Sequence, residues 1–229
     1  MSGAAATLQP AGFWRRYAAW SLDWTLLAPL LALLLAPLCV RVWQQLLVLY
    51  HSLEQWTYAR MLAAEGGLPS PLALSYELLA DPVFAQSVRG GSERLLATLA
   101  QAALVAFGVS ALYFVASEAS PWQATPGKRL LRLRVQGAEG GAIGPLRALG
   151  RHLAGALSWA LLNLGHAMAG WREDRRALHD LLAGTQVMAR GEMPRWARAW
   201  LLLQAGLLAA LLLGLLGWFG LRLLQIARY

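Results

Sequence analysis

The residue whose type and placement most invite chemistry is Asp23, a carboxylate inside the apolar run Trp20 to Val40. An aspartate near the centre of a membrane helix costs about 2.5–3.5 kcal/mol to insert on translocon scales. A cationic partner, hydrogen bonds, a bound cation or protonation must offset that cost. Arg16 precedes Asp23 by seven residues, about two helical turns, so the two share one helix face roughly 10 Å apart along the axis. They line one polar stripe without touching unless the long Arg side chain reaches inward.

A second cluster runs from Arg175 through Arg176, His179 and Asp180 to Gly184 and Thr185. Arg176 and Asp180 have the i,i+4 spacing of a helical ion pair. Gly184 reads as a helix C-cap. His179 is placed to titrate near neutrality, or to serve as a structural hydrogen-bonder. The third cluster is Thr125-Pro126-Gly127-Lys128, followed by Arg129 and, further on, Arg151. It resembles the end of a phosphate loop and fails the test. Trp122 stands where the first Gly is needed, and Arg129 replaces the Ser or Thr. HExxH and GxSxG are absent, and no Cys/His spacing suits a metal. These patterns assign no catalysis, no metal and no cofactor.

The elements that must hold these residues are mostly apolar helices. The chain has 229 residues, 58% hydrophobic and 14% charged, with a mean hydropathy of +0.45. A soluble domain is nearer 45–50% and 25%. The fold class expected is an all-α integral membrane protein of three to four membrane helices with a small cytoplasmic β-ribbon. Spans fall at about 20–40, 95–117 and 199–221, with a long outer loop at 41–94 broken at Gly66 to Pro71. Residues 42–62 have helical periodicity and either extend the first helix or lie on the membrane surface. Residues 1–11 are a cytoplasmic tail without the features of a cleavable signal. Leu131 to Gln136 alternates with period two, and Thr185 to Met188 is β-like, so these pieces are expected to pair as the ribbon.

Segment 151–170 is apolar but short, and either spans or is re-entrant. The basic residues that follow it favour the second reading, by the positive-inside rule. The same rule puts the N-terminus in the cytoplasm, because Arg15 and Arg16 precede the first span. The net charge of +8 comes from 20 basic residues, which mark cytoplasmic loops and meet anionic headgroups; nucleic acid is not an expected partner. Gly206, Ala210 and Gly214 make a small-residue stripe on the last span, suited to close helix packing or simply ordinary membrane glycine content. The single cysteine, Cys39, reads as a packed thiol.

Three segments in order, Gly12 to Asp23, Thr125 to Val135 and Leu178 to Val187, resemble the RDD family of bacterial membrane proteins. The resemblance covers residues 12–190 and leaves 191–229 as a separate C-terminal segment. It implies that Arg16, Asp23 and Asp180 are the arginine and two aspartates for which the family is named. It also implies residence in the bacterial inner membrane and a suspected role in transport. Two functions follow. In the first, Asp23 binds H+ or Na+, Arg16 tunes it and Asp180 completes a gate. In the second, Arg16, Asp23 and Asp180 form a buried ionic lock in a structural or assembly subunit. The expected partners are the lipid bilayer, a further copy of the chain or another membrane protein.

Overall fold

A computed structural model describes residues 8–63 and 70–226. Most of residues 1–11 and the break at Gly66 to Pro69 lie outside the described residues. A short strand β1 (Leu8–Pro10) leads into α1 (Phe13–Leu62), then α2 (Pro71–Ala80) and α3 (Pro82–Ala119). Next come α4 (Pro126–Leu130), β2 (Leu133–Gly137), α5 (Pro145–Ala160), α6 (Leu164–Trp171) and α7 (Leu178–Leu182). β3 (Thr185–Arg190) and α8 (Arg195–Ile226) complete the chain. Among the described residues three helices, α1, α3 and α8, are long and apolar enough to cross a membrane.

These helices overrun the expected spans. α1 is 50 residues long and α3 is 38, against windows of 20–40 and 95–117 set by bilayer thickness. Backbone hydrogen bonding does not stop where apolarity stops, so much of the expected outer loop at 41–94 is helix. Pro29 and Pro37 lie inside α1 without ending it. Segment 151–170 is two short helices rather than one. Leu162 and Asn163, at φ 51° and 63°, turn the chain between α5 and α6.

The chain forms two compact units. One comprises residues 1–26 and 111–229, the other residues 27–110. The first unit contains a three-stranded antiparallel sheet in the order β1-β3-β2. Val135 pairs with Val187, and Leu133 with Ala189, so alternate residues of both strands face one core. That core joins Leu131, Leu133, Val135, Ile143, Val187 and Ala189 to small residues of α1 and α8: Ala18, Ala19 and Ala197. The expected ribbon is therefore a sheet, because Leu8–Pro10 adds a third strand beside β3. Three residues carry no alternation to read, and their strand state comes from pairing alone. Ser21 accepts hydrogen bonds from Trp200 and Gln204 of α8, both at 3.0 Å.

In the second unit Asp81 caps α3, accepting from Val83 N–H at 2.9 Å and Phe84 N–H at 3.0 Å. Its other oxygen accepts the Trp56 indole N–H at 2.9 Å, which ties α1 to the α2–α3 corner. Cys39 is exposed rather than packed, on an apolar surface suited to lipid. Gly206 and Gly214 face open space among the described residues.

Candidate functional site

The polar residues singled out by sequence all lie in the first unit, and they form two groups rather than one stripe. The first is built on Asp23, which is fully buried. Thr125 N-caps α4 and Pro126 starts it, so the Thr-Pro-Gly-Lys motif is a helix start. This turn aims two donors at the carboxylate. Gly127 N–H donates to Oδ1 at 2.7 Å and the Thr125 hydroxyl to Oδ2 at 2.5 Å. The Tyr113 hydroxyl of α3 donates to Oδ1 at 2.7 Å. The aspartate inside the apolar run is thus offset by three neutral donors, and it joins α1, α3 and α4.

Among the described residues Arg16 makes no hydrogen bond or ion pair with Asp23. Its guanidinium turns the other way, pairing with Asp180 Oδ2 through Nη1 and donating to the Arg175 carbonyl at 2.7 Å and the Ala11 carbonyl at 2.9 Å. Arg15, about 100° around the helix, grips a different edge. It donates to the Leu131 carbonyl at 2.7 and 3.0 Å and to the Arg190 carbonyl at 3.0 Å. Two consecutive arginines therefore fasten the start of α1, one to the backbone beside β2 and β3 and the other to α7 and the loop before it.

The second group is an ion network centred on Arg151 of α5. Its Nη1 pairs with Asp180 Oδ1, its Nε donates to Glu118 Oε2 at 3.0 Å, and Nη1 also reaches the Thr185 hydroxyl at 3.0 Å. Lys128 pairs with the other Glu118 oxygen. Asp180 additionally accepts from Ala177 N–H at 3.0 Å, completing half a capping box for α7, since Ala177 has no side-chain acceptor to complete the other half. Every charged member is buried or nearly so, so the pairs act in a low dielectric. The two groups touch through α4, where Thr125 accepts from Lys128 N–H at 3.3 Å.

The expected Arg176–Asp180 side-chain pair does not form. Helix α7 begins only at Leu178, so Arg176 lies outside it. Arg176 instead donates to the Thr185 carbonyl at 3.1 Å and the Asp180 carbonyl at 3.3 Å. Gly184 follows α7 at φ +60°, the left-handed position that suits glycine after a helix end. Sequence reasoning missed Glu118 and Tyr113, and read Arg15 only as a marker of orientation. Glu118 directly follows the expected span at 95–117, and its acidic side chain there was the available signal. Tyr113 left none, because a tyrosine in an apolar run is ordinary.

Burial alone would raise the Asp180 carboxyl, but Arg151 and Arg16 outweigh it and hold it well below the usual carboxylate range. His179 lies 3.6 Å from Asp180, a distance that would allow an ion pair. Burial, followed by the Arg151 charge, nevertheless pushes its imidazole well below its ordinary value, and it does not titrate near neutrality. His166, tilted against it with ring centroids 4.9 Å apart, is also pushed down by burial and Arg151. Groups whose folded pKa is depressed stabilise the fold above the unfolded pKa and lose that contribution as pH falls. Melting temperature is therefore expected to fall between about pH 7 and pH 5, starting near the unfolded His value of about 6.5. His179→Phe should flatten that slope; an unchanged slope would remove His179 from the explanation.

Among the described residues no group of three or more His, Cys, Asp or Glu side chains could hold a metal ion. The uncharacterized protein YxaI of Bacillus subtilis (strain 168) is 32% identical to this chain over 85 residues, 37% of this chain and 56% of that protein. The chain thus spans about half the length of that relative. No solved structure matches this chain. The RDD family model matches residues 10–184, a stretch that contains Asp23, the α4 turn, Arg151 and Asp180. With that match over most of its length, the chain belongs to the RDD family.

Proposed function

We propose that this RDD protein is a structural or assembly subunit of a membrane complex, in which the buried polar groups act as a lock. The observation that carries this reading is Arg151, which bridges Glu118 on α3 and Asp180 on α7 while Arg16 on α1 takes the other Asp180 oxygen. Four segments of the chain, α1, α3, α5 and α7, are held by one charge cluster. Asp23 serves the same end without a cation, because both of its oxygens already accept hydrogen bonds. No catalytic step is assigned to any of these groups.

In this reading α1, α3 and α8 span the bacterial cytoplasmic membrane, and the sheet, α4 to α7 and the N-terminus face the cytoplasm. The support is the density of arginine around the sheet and the apolar surface of the three helices. α5 and α6 are too short to span and lie at the interface. Glu139→Cys, placed at an exposed turn in a Cys39→Ser background, tests the orientation. An impermeant maleimide should label it only after cell lysis, and labelling of intact cells would reverse the assignment.

Ion-coupled transport is the second reading, and one observation favours it. Ser158 Oγ, His166 Nδ1 and His179 Nδ1 are buried without a hydrogen-bond partner among the described residues, and His179 lies beside both His166 and Asp180. Buried polar atoms of this kind commonly bind water, and a water chain could carry protons. Liposomes holding the purified protein separate the two readings. The lock predicts no H+ or Na+ flux from the wild type. It also predicts that Asp23→Asn, which keeps an acceptor for Gly127 and Tyr113, lowers stability by only about 1–2 kcal/mol. A wild-type flux that Asp23→Asn abolishes without unfolding would establish transport instead.

A further inference from the structure

The second unit holds a cavity of about 340 Å³ lined by Arg41, Gln44, Gln45, Val48, Gly91 and Arg94. Its volume lies in the range of small-molecule sites, about 300–1,000 Å³. Arg41 ends the apolar run of α1 and Arg94 begins that of α3, so both cations sit at the same boundary of the apolar zone. A cation that ends an apolar span sits at headgroup depth in a bilayer. Among the described residues neither Arg41 nor Arg94 makes an ion pair, unlike Arg16, Arg60, Arg151 and Arg172.

The polar lining is specific in a second way. Gln45 donates its amide to the Thr98 hydroxyl at 3.0 Å, and its Oε1 is buried without a donor. Gly91 lets α3 close on α1 here, since a Cβ would meet Leu49 Cδ2 at 2.4 Å. The cavity therefore offers two guanidinium forks, and beside them lies a buried amide oxygen that no donor answers. Guanidinium forks match phosphate oxygens bidentately, and the acceptor calls for a hydroxyl or ammonium beside the phosphate.

We infer that Arg41, Arg94 and Gln45 form a binding site for a phosphate group carrying a nearby hydroxyl or ammonium donor. This is the chemistry of an anionic phospholipid headgroup and of free glycerol phosphate. The site is separate from the lock, and neither depends on the other.

The test is the melting temperature of the purified full chain in a neutral detergent, titrated with phosphatidylglycerol, phosphatidylcholine or free glycerol 3-phosphate. Phosphatidylglycerol should raise it saturably, while phosphatidylcholine, which lacks the donor, should not. The double variant Arg41→Gln/Arg94→Gln should need at least about tenfold more phosphatidylglycerol for the same shift. Arg94→Lys guards against a folding defect in the double variant. It keeps the charge without the fork and should weaken the response severalfold, whereas Arg89→Gln, outside the cavity, should leave it unchanged. A saturable shift from glycerol 3-phosphate alone, lost in the double variant, assigns the site to a soluble ligand of the same chemistry. Equal responses to the two lipids, or equal responses of wild type and double variant to every probe, overturn the inference.

Discussion

Asp180→Ala is expected to destabilise the protein by about 3–5 kcal/mol, the usual cost of leaving buried charges without their partner. At the size of this chain that corresponds to a fall in melting temperature of roughly 10 °C. The variant strands two guanidinium groups at once, because Arg16 and Arg151 each hold one oxygen of the carboxylate. It also removes the acceptor for Ala177 N–H at the start of α7. The effect should not be additive with loss of Arg151. Asp180→Ala combined with Arg151→Met should cost clearly less than the sum of the single changes, as expected for members of one network. Strict additivity in thermal unfolding would show that the two residues do not act together.

The pH sign follows from the same pairing. Asp180 has a depressed folded pKa, so its contribution is fully present above its unfolded value of about 3.9 and is lost only in stronger acid. Stability changes between pH 7 and pH 5 must therefore come from other groups, chiefly the buried histidines. Asp180→Ala should lower the melting temperature by a similar amount at both pH values.

Gly127→Ala is expected to cost about 3 kcal/mol, at the upper end for overpacking. A Cβ at this position would lie 2.3 Å from the Ala19 carbonyl oxygen and 2.8 Å from Asp23 Oδ1. The first is backbone of α1 and cannot swing aside. Relief requires α4 to retreat, which breaks the Gly127 N–H bond and draws Thr125 away from the carboxylate. Gly155→Ala in α5 is the matched control. Nothing lies within 4 Å of its Cβ, so it should be neutral or slightly stabilising, by up to about 1 kcal/mol. Comparable melting temperatures for the two variants would mean that the close approach at Gly127 does not constrain the fold.

Arg16 and Asp23 show how far spacing carries. Their helical separation was legible, and so was the need to offset an aspartate in an apolar run. Which group meets which was not. Residues seven apart share a helix face, but Arg16 is long and turns to α7, while Asp23 faces a turn more than a hundred residues away in sequence. The same limit explains Glu118. Its charge was visible, but its two cationic partners lie on α4 and α5. Arg176 and Asp180 illustrate the converse, a correct spacing without a helix beneath it, because α7 starts two residues after Arg176.

The sequence by itself determined the three long apolar helices, the alternating strands β2 and β3, the family, and the residues with chemical potential. These follow from local composition and periodicity, which act within a few residues. Tertiary structure decided the third strand, the division of the polar residues into a neutral-donor cradle around Asp23 and an ion network around Arg151, and the meeting of Arg41 with Arg94 at one cavity. Each of these depends on side chains from distant segments arriving at the same point. Burial there makes each hydrogen bond and ion pair stronger when formed and costly when missing, and no one-dimensional pattern records that.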